Sequence, residues 1–264
     1  MPAHFVAVFA KRNMRSFALL SLSLLGVATG CTESSVPAPD RGLDYYPVAA
    51  NSFWIYAVAD STWSTASASN PTSTVQVANY QFRETITSSF TDAAGQTAYR
   101  LVRAKRLTPA VAWRDDSVFT IRTDAHGVVL TRNNLKPLEL IFPVRDGRLW
   151  NFNAFNNNTN DTIQAETRRY RNVGEAFATK AGPAPQTFAN TVTTTNEGTA
   201  KFDDSYYVNT YQQVFAKAVG PVQRRRRRFS NYFTTSTTGI NTFVRNAYFY
   251  GYSRTETLVD YGPR

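Results

Sequence analysis

Beyond residue 43, polar and apolar residues alternate with a period of two along most of the chain. The clearest run is 75–90: Ala78, Tyr80, Phe82, Ile86 and Phe90 share one parity, and Asn79, Gln81, Arg83, Thr85 and Thr87 the other. Successive side chains of a strand point to opposite faces, so this spacing predicts a half-buried strand with one wet face. Segments 98–106, 111–123, 128–132 and 138–144 read as further strands. Turns at Asp92-Ala-Ala-Gly95, Asp124-Ala-His-Gly127 and Arg145-Asp-Gly-Arg148 separate them. Segments 187–195, 206–216, 222–234 and 243–259 are rich in β-branched and aromatic residues, the types that suit a pleated, half-buried surface. Loops are expected at 151–161 and 181–185. Residues 43–264 contain no apolar stripe of period 3.6 over three turns and no fixed-period repeat or composition break. The expectation is an all-β chain: a single antiparallel domain at 43–264, of roughly nine to twelve strands, forming a strongly curved sheet, barrel or sandwich.

The N-terminal segment has a different pattern. Lys11, Arg12 and Arg15 precede an apolar run from Phe17 to Ala28, with no acid before it. About a dozen residues is too short for a transmembrane helix, which needs about 20, and matches the h-region of a secretory signal behind a positive n-region. The run stops at Thr29-Gly30-Cys31. Small residues just before a Cys resemble the lipobox of bacterial lipoproteins, with Ala28 where Leu is commonest. The resemblance implies that 1–30 is a lipoprotein signal peptide and that Cys31 becomes the acylated first residue, carrying palmitate-type chains. Met14 is an alternative start that leaves a signal of more usual length. Residues 31–42, rich in Ser and Pro, read as a flexible tether.

Composition narrows the classes. The chain has 264 residues with one Cys and two His, which allows no internal disulfide and no Cys-rich zinc site. Aromatic residues make up 14%, so the chain is neither disordered nor collagenous. No Gly-x-Ser-x-Gly elbow, Gly-rich phosphate loop or His-Glu-x-x-His is present. The expectation is accordingly no enzyme, no catalytic residues, no metal and no cofactor.

Asp44-Tyr-Tyr-Pro-Val-Ala-Ala-Asn-Ser-Phe-Trp-Ile-Tyr56 resembles the opening of a group of Bacteroidota lipoproteins of unknown function. Those open with Tyr-Tyr-Pro-Leu, a short turn and a Trp-x-Tyr leading the first strand. Ala49 and Ala50 stand here where a Gly is usual. Matching stretches occur at 142–151, 214–222 and 258–262. The resemblance implies an outer-membrane lipoprotein of the cell envelope, on its periplasmic or surface face, and supplies no activity. Trp54 and Tyr56 share a parity and are expected in the core.

Four features could carry chemistry. His126 falls in a predicted turn, a poor place for a catalytic base. Asp115-Asp116 and Asp203-Asp204 are adjacent pairs whose side chains diverge on a strand, unlike the facing carboxylates of a glycosidase. Asp60-Ser61-Thr62, Asp116-Ser117-Val118 and Asp161-Thr162-Ile163 resemble the Bacteroidota O-glycosylation acceptor, which makes Ser61, Ser117 and Thr162 candidate acceptors. The strongest anomaly is Arg224, Arg225, Arg226, Arg227 and Arg228 on a predicted strand. Arg224, Arg226 and Arg228 should face one side, Arg225 and Arg227 the other. Five uncompensated guanidiniums cannot all be buried, so the run is expected beyond the packed core or on an edge strand. It is the candidate anion-binding site, for anionic headgroups or acidic polysaccharide; export sets nucleic acid aside. The expected function is a membrane-anchored envelope lipoprotein acting as a non-enzymatic binding or structural module. The alternative is a lipid or lipoprotein carrier with an apolar cavity in a curved sheet, which Tyr248, Tyr250 and Tyr252 could line.

Overall fold

The computed structural model describes residues 39–156, 165–180 and 185–263. Thirteen strands follow a 3-10 turn at Leu43–Tyr45: β1 Phe53–Trp63, β2 Val75–Thr91, β3 Thr97–Arg106, β4 Arg114–Thr123, β5 Gly127–Thr131, β6 Leu138–Ile141, β7 Leu149–Asn151, β8 Thr167–Ala178, β9 Thr187–Glu197, β10 Phe202–Asp203, β11 Tyr207–Ala216, β12 Gly220–Thr235 and β13 Asn241–Gly262. They form one antiparallel sheet in the order β6-β5-β4-β3-β2-β1-β13-β12-β11-β9-β8-β7, with the two-residue β10 beside β11. Apart from β10, spatial neighbours are neighbours in sequence, and β1 pairs with β13. The chain is an up-and-down meander rolled into a nearly closed barrel, the architecture that removes open sheet edges.

The seam lies between β6 and the β7–β8 hairpin. There the Leu138 N–H donates to the Phe152 carbonyl at 2.8 Å. The Trp150 indole N–H donates to the Leu138 carbonyl at 2.8 Å. The Tyr170 hydroxyl accepts from the Ile141 N–H and donates to the Ile141 carbonyl, both at 2.7 Å. One phenol thus satisfies both backbone groups that a missing strand partner would leave open.

Inward positions carry the predicted apolar parity. Trp54, Tyr56 and Val58 on β1, Tyr80, Phe82 and Ile86 on β2, Leu101 on β3 and Phe119 and Ile121 on β4 are buried. The entry segment adds to them: the Tyr46 ring lies 5.9 Å from Trp54 and 5.7 Å from Phe215. The Trp54 indole N–H donates to the Val219 carbonyl at 2.6 Å, and Gly220 (φ 100°) passes so close beneath that an added Cβ would lie 3.0 Å from the Trp54 Nε1. This end of the barrel is packed solid.

Three expectations need correction. Tyr248, Tyr250 and Tyr252 do not line one cavity. An irregularity in the pairing between Ser230 and Asn231 shifts the register, so Tyr248 packs on Trp63 and Phe229, while Tyr250 is exposed. Segment 167–178, not foreseen as a strand, is β8. The arginine run is not on an edge, since β12 is hydrogen-bonded on both sides, to β11 and β13, and its first residue, Arg224, is buried in the core while Arg225 to Arg228 reach solvent beyond it.

Candidate functional site

Strand alternation divides the arginine run as its spacing predicts, and burial then separates the residues further. Along the inward face of β12, Val222 and Arg224 are buried and Arg226 and Arg228 are exposed. The same opening appears on every neighbouring strand. On β13, Leu258 and Glu256 are buried while Arg254 and Tyr252 are half-buried. On β1, Tyr56 and Val58 are buried, Asp60 half-buried and Thr62 exposed. The lumen therefore closes below Arg224 and opens above it.

Arg224, 6% exposed, crosses the lumen. Its guanidinium donates to Glu84 Oε2 at 3.0 Å on β2 and to Glu256 Oε2 at 3.0 Å on β13. Arg103 on β3 forms a second ion pair with Glu84, which is wholly buried. Burial opposes the Glu84 charge, but Arg224 and then Arg103 outweigh it and hold the carboxyl far below the usual carboxylate range. Glu84 and Glu256 are two carboxylates converging on one point, yet Glu84 is locked as an anion and cannot serve as a proton donor. Arg224 is consumed by the core and is not a ligand site.

Arg225 and Arg227 point outward. Arg225 sits in register between Gln212 and Thr255, and Arg227 between Thr210 and Ser253. They border a shallow groove of about 290 Å³ that extends over β11 and β9 to Arg171 on β8, with Lys201 beside it. Glu197 accepts from Arg171 Nη2 at 2.8 Å and from the Thr195 hydroxyl at 2.7 Å, and lies 3.6 Å from Arg169. Burial raises its pKa, but the hydrogen bonds from Thr195 and Arg171 prevail and keep it lowered. Glu197 is thus occupied by two arginines, and no acid ion-pairs with Arg225 or Arg227 among the described residues. The groove offers cations flanked by hydroxyl and amide groups, with two acids, Glu197 and Asp203, also on its lining.

Sequence reading missed Glu84, Arg103 and Glu256 as partners and Arg171 and Lys201 as groove residues. Glu84 did leave a signal: it occupies the apolar parity of the 75–90 run, between Phe82 and Ile86. Nothing local marks Arg171 or Lys201.

The remaining candidates are dispersed. Ser61 lies in β1 between Val77 and Ser253, and Ser117 lies in β4, its hydroxyl 2.5 Å from Asp116 Oδ2; both are on strands, not in loops. Thr162 and Cys31, with the signal segment, fall outside the described residues. His126 is exposed in its turn, its N–H donating to Asp124 Oδ1 at 2.7 Å. Asp204 caps a turn through the Tyr206 and Tyr207 N–H groups. Among the described residues no group of three His, Cys, Asp or Glu could hold a metal, and no helix is long and apolar enough to cross a membrane.

The fold and groove define an antiparallel meander barrel with an ion-paired lumen and a cationic outer wall. No protein-family model matches the chain, and neither does any curated protein or solved structure at a significant level.

Proposed function

We propose that this chain is a membrane-anchored lipoprotein of the bacterial cell envelope, outer membrane in location, whose β domain is a non-enzymatic binding module for acidic polysaccharide. The observation that carries the reading is the outer groove, where Arg225 and Arg227 lack an acidic partner among the described residues and are flanked by Thr210, Gln212, Ser253 and Thr255. Guanidinium suits carboxylate and sulfate through paired N–H donors, and the hydroxyl and amide groups suit sugar hydroxyls. An open groove on a convex wall also suits a chain that continues past it at both ends. The carrier alternative draws less support, since side chains fill the barrel at the level of Trp54, Tyr56 and Leu258.

The test is binding of the 40–264 domain to polygalacturonate and, separately, to anionic vesicles, at low and high salt. Arg225→Ser with Arg227→Ser is expected to weaken polysaccharide binding at least tenfold at low salt and to flatten its salt dependence, because exposed charges are screened beyond about 10 Å at 0.1 M. Unchanged polysaccharide binding rejects the groove; binding to vesicles alone replaces polysaccharide with a headgroup. For the anchor, Cys31→Ala in the full chain is expected to abolish membrane partition, and partition that survives high-salt washing rejects lipidation.

A further inference from the structure

The inward half of the same run forms a different site. Arg226 stands directly opposite Arg254 in the β12–β13 register, on one face of the sheet. Like charges placed so are destabilising. Arg254 is relieved by Asp60, which accepts from its Nε at 2.7 Å and its Nη2 at 2.5 Å. Arg226 and Arg228 have no such relief: no carboxylate ion-pairs with either among the described residues, and Glu166, the acid nearest in influence to Arg226, is bound to Arg168. Desolvation, and then repulsion from Arg228, weakens the hold of Arg226 on its proton. Tyr211 and Tyr252 flank the pair in register, and Asn209 accepts weakly from Arg228 Nε at 3.4 Å.

We infer that the open mouth of the barrel is a second anion site, in which Arg226 and Arg228 receive a tetrahedral oxyanion such as a phosphate or sulfate monoester. Two residues apart on one strand face, Arg226 and Arg228 are anchored at Cα atoms about 7 Å apart, a spacing from which two long side chains can converge on one oxyanion with several acceptor oxygens. The floor below is the Arg224–Glu84–Arg103–Glu256 layer, so the mouth is a dead end. It accepts a small molecule or the terminal group of a chain, whereas the outer groove accepts a chain running past. The two sites share β12 but use opposite faces, so this inference stands independently of the outer groove.

The experiment titrates the full chain, solubilised in a non-ionic detergent, with inorganic phosphate and inorganic sulfate at constant ionic strength, chloride being the replaced anion, and follows melting temperature and heat of binding. A saturable rise that chloride does not reproduce is expected. Arg226→Gln with Arg228→Gln should abolish it, and Arg226→Lys with Arg228→Lys should weaken it while retaining charge. Arg225→Ser with Arg227→Ser should leave it intact while losing the polysaccharide. Absence of a saturable effect in the wild type overturns the inference, as does an effect lost in the outward variant but retained in the inward one. A last arm uses vesicles bearing phosphatidic acid: binding that requires Arg226 and Arg228 there, with no response to free phosphate, replaces the small-molecule source with a lipid headgroup. Melting temperatures in chloride confirm that each variant is folded.

Discussion

Arg224 and Arg225 are adjacent and chemically identical, but the fold gives them opposite energetic roles. Replacing Arg224 by Met keeps the long apolar stem and removes the charge. Glu256 then loses the arginine it pairs with, and Glu84 keeps only Arg103. Removing one partner from a buried ion cluster typically costs about 3–5 kcal/mol, because the partner charge remains buried. With a urea m-value of about 2 kcal/mol/M, the unfolding midpoint should fall by about 1.5–2.5 M at pH 7. Arg225→Met, at an exposed position without an ion pair, should stay within about 0.5 kcal/mol of the wild type. The pH dependence gives a second reading. Burial opposes the Glu84 charge, but Arg224 and Arg103 keep its folded pKa below that of the unfolded chain, so its contribution is complete above about pH 5 and is lost as the pH falls. In Arg224→Met, burial of Glu84 acts with less compensation and pushes its carboxyl upward, so the penalty is largest at pH 7 and fades on acidification. The gap between wild type and variant should therefore narrow from pH 7 to about pH 4. Urea unfolding followed by Trp fluorescence at the two pH values reads both effects. An Arg224→Met protein whose midpoint moves no further than that of Arg225→Met refutes the reasoning.

Two further outcomes follow from the seam and the packed end. Tyr170→Phe removes both hydrogen bonds to Ile141 and should cost about 1–3 kcal/mol; faster amide exchange at Ile141 than at β1 amides is the diagnostic, and unchanged protection would show that the seam closes without the phenol. Gly220→Ala places a Cβ 3.0 Å from the Trp54 indole on a residue with φ of 100°, so a loss of about 1–3 kcal/mol with a change in the near-UV circular dichroism of Trp54 is expected.

The legible part of this chain is the part governed by strict alternation. Tyr80, Phe82 and Ile86 of the 75–90 run, the three turns before residue 150 and the inward Trp54 and Tyr56 stand where the period-two pattern places them, whereas Ala78 and Phe90, of the same parity, are exposed towards the ends of β2, Phe90 beyond a register shift at Ile86–Ser88. β8 escaped because its pattern is interrupted twice: Asn172 (φ 56°) and Gly174 (φ 84°) take left-handed conformations, and the pairing with β9 shifts between Arg171 and Glu175. A bulge changes which parity faces inward, so Tyr170, Val173 and Phe177 show no common period. The same effect separates Tyr248 from Tyr250. The arginine run was divided correctly into two faces, but its place in the sheet was not legible. The argument that five guanidiniums must reach water assumed no compensation, and the compensating Glu84 lies 140 residues away in sequence.

That distance bears on why charge is in the core at all. A barrel of about eight strands is narrow enough for ordinary side chains to fill, and width grows with strand number. Twelve strands around one lumen leave a gap that Leu or Val on opposite walls cannot span. Long residues extend into it and tie strands that do not pair directly: Arg224 joins β12 to β2, Tyr170 joins β8 to β6 across the seam and Trp54 joins β1 to the turn before β12. Each tie ends on a polar partner, so each fixes the register of the strands it joins, where an apolar filling would tolerate slippage. The charged layer also sets the depth of the mouth. If Glu84 and Arg224 were an apolar pair, the floor would no longer repel or orient an entering anion, and Arg226 would have a neutral surface below it. Glu84→Leu and Arg224→Leu combined with Arg103→Met and Glu256→Gln should therefore retain much of the stability lost by Arg224→Met alone, since none of the four paired charges is then left buried without its partner. Recovery of the urea midpoint, measured in the same assay, would establish that the ions serve as struts; a fourfold variant less stable than Arg224→Met would show that their charge itself holds the walls together.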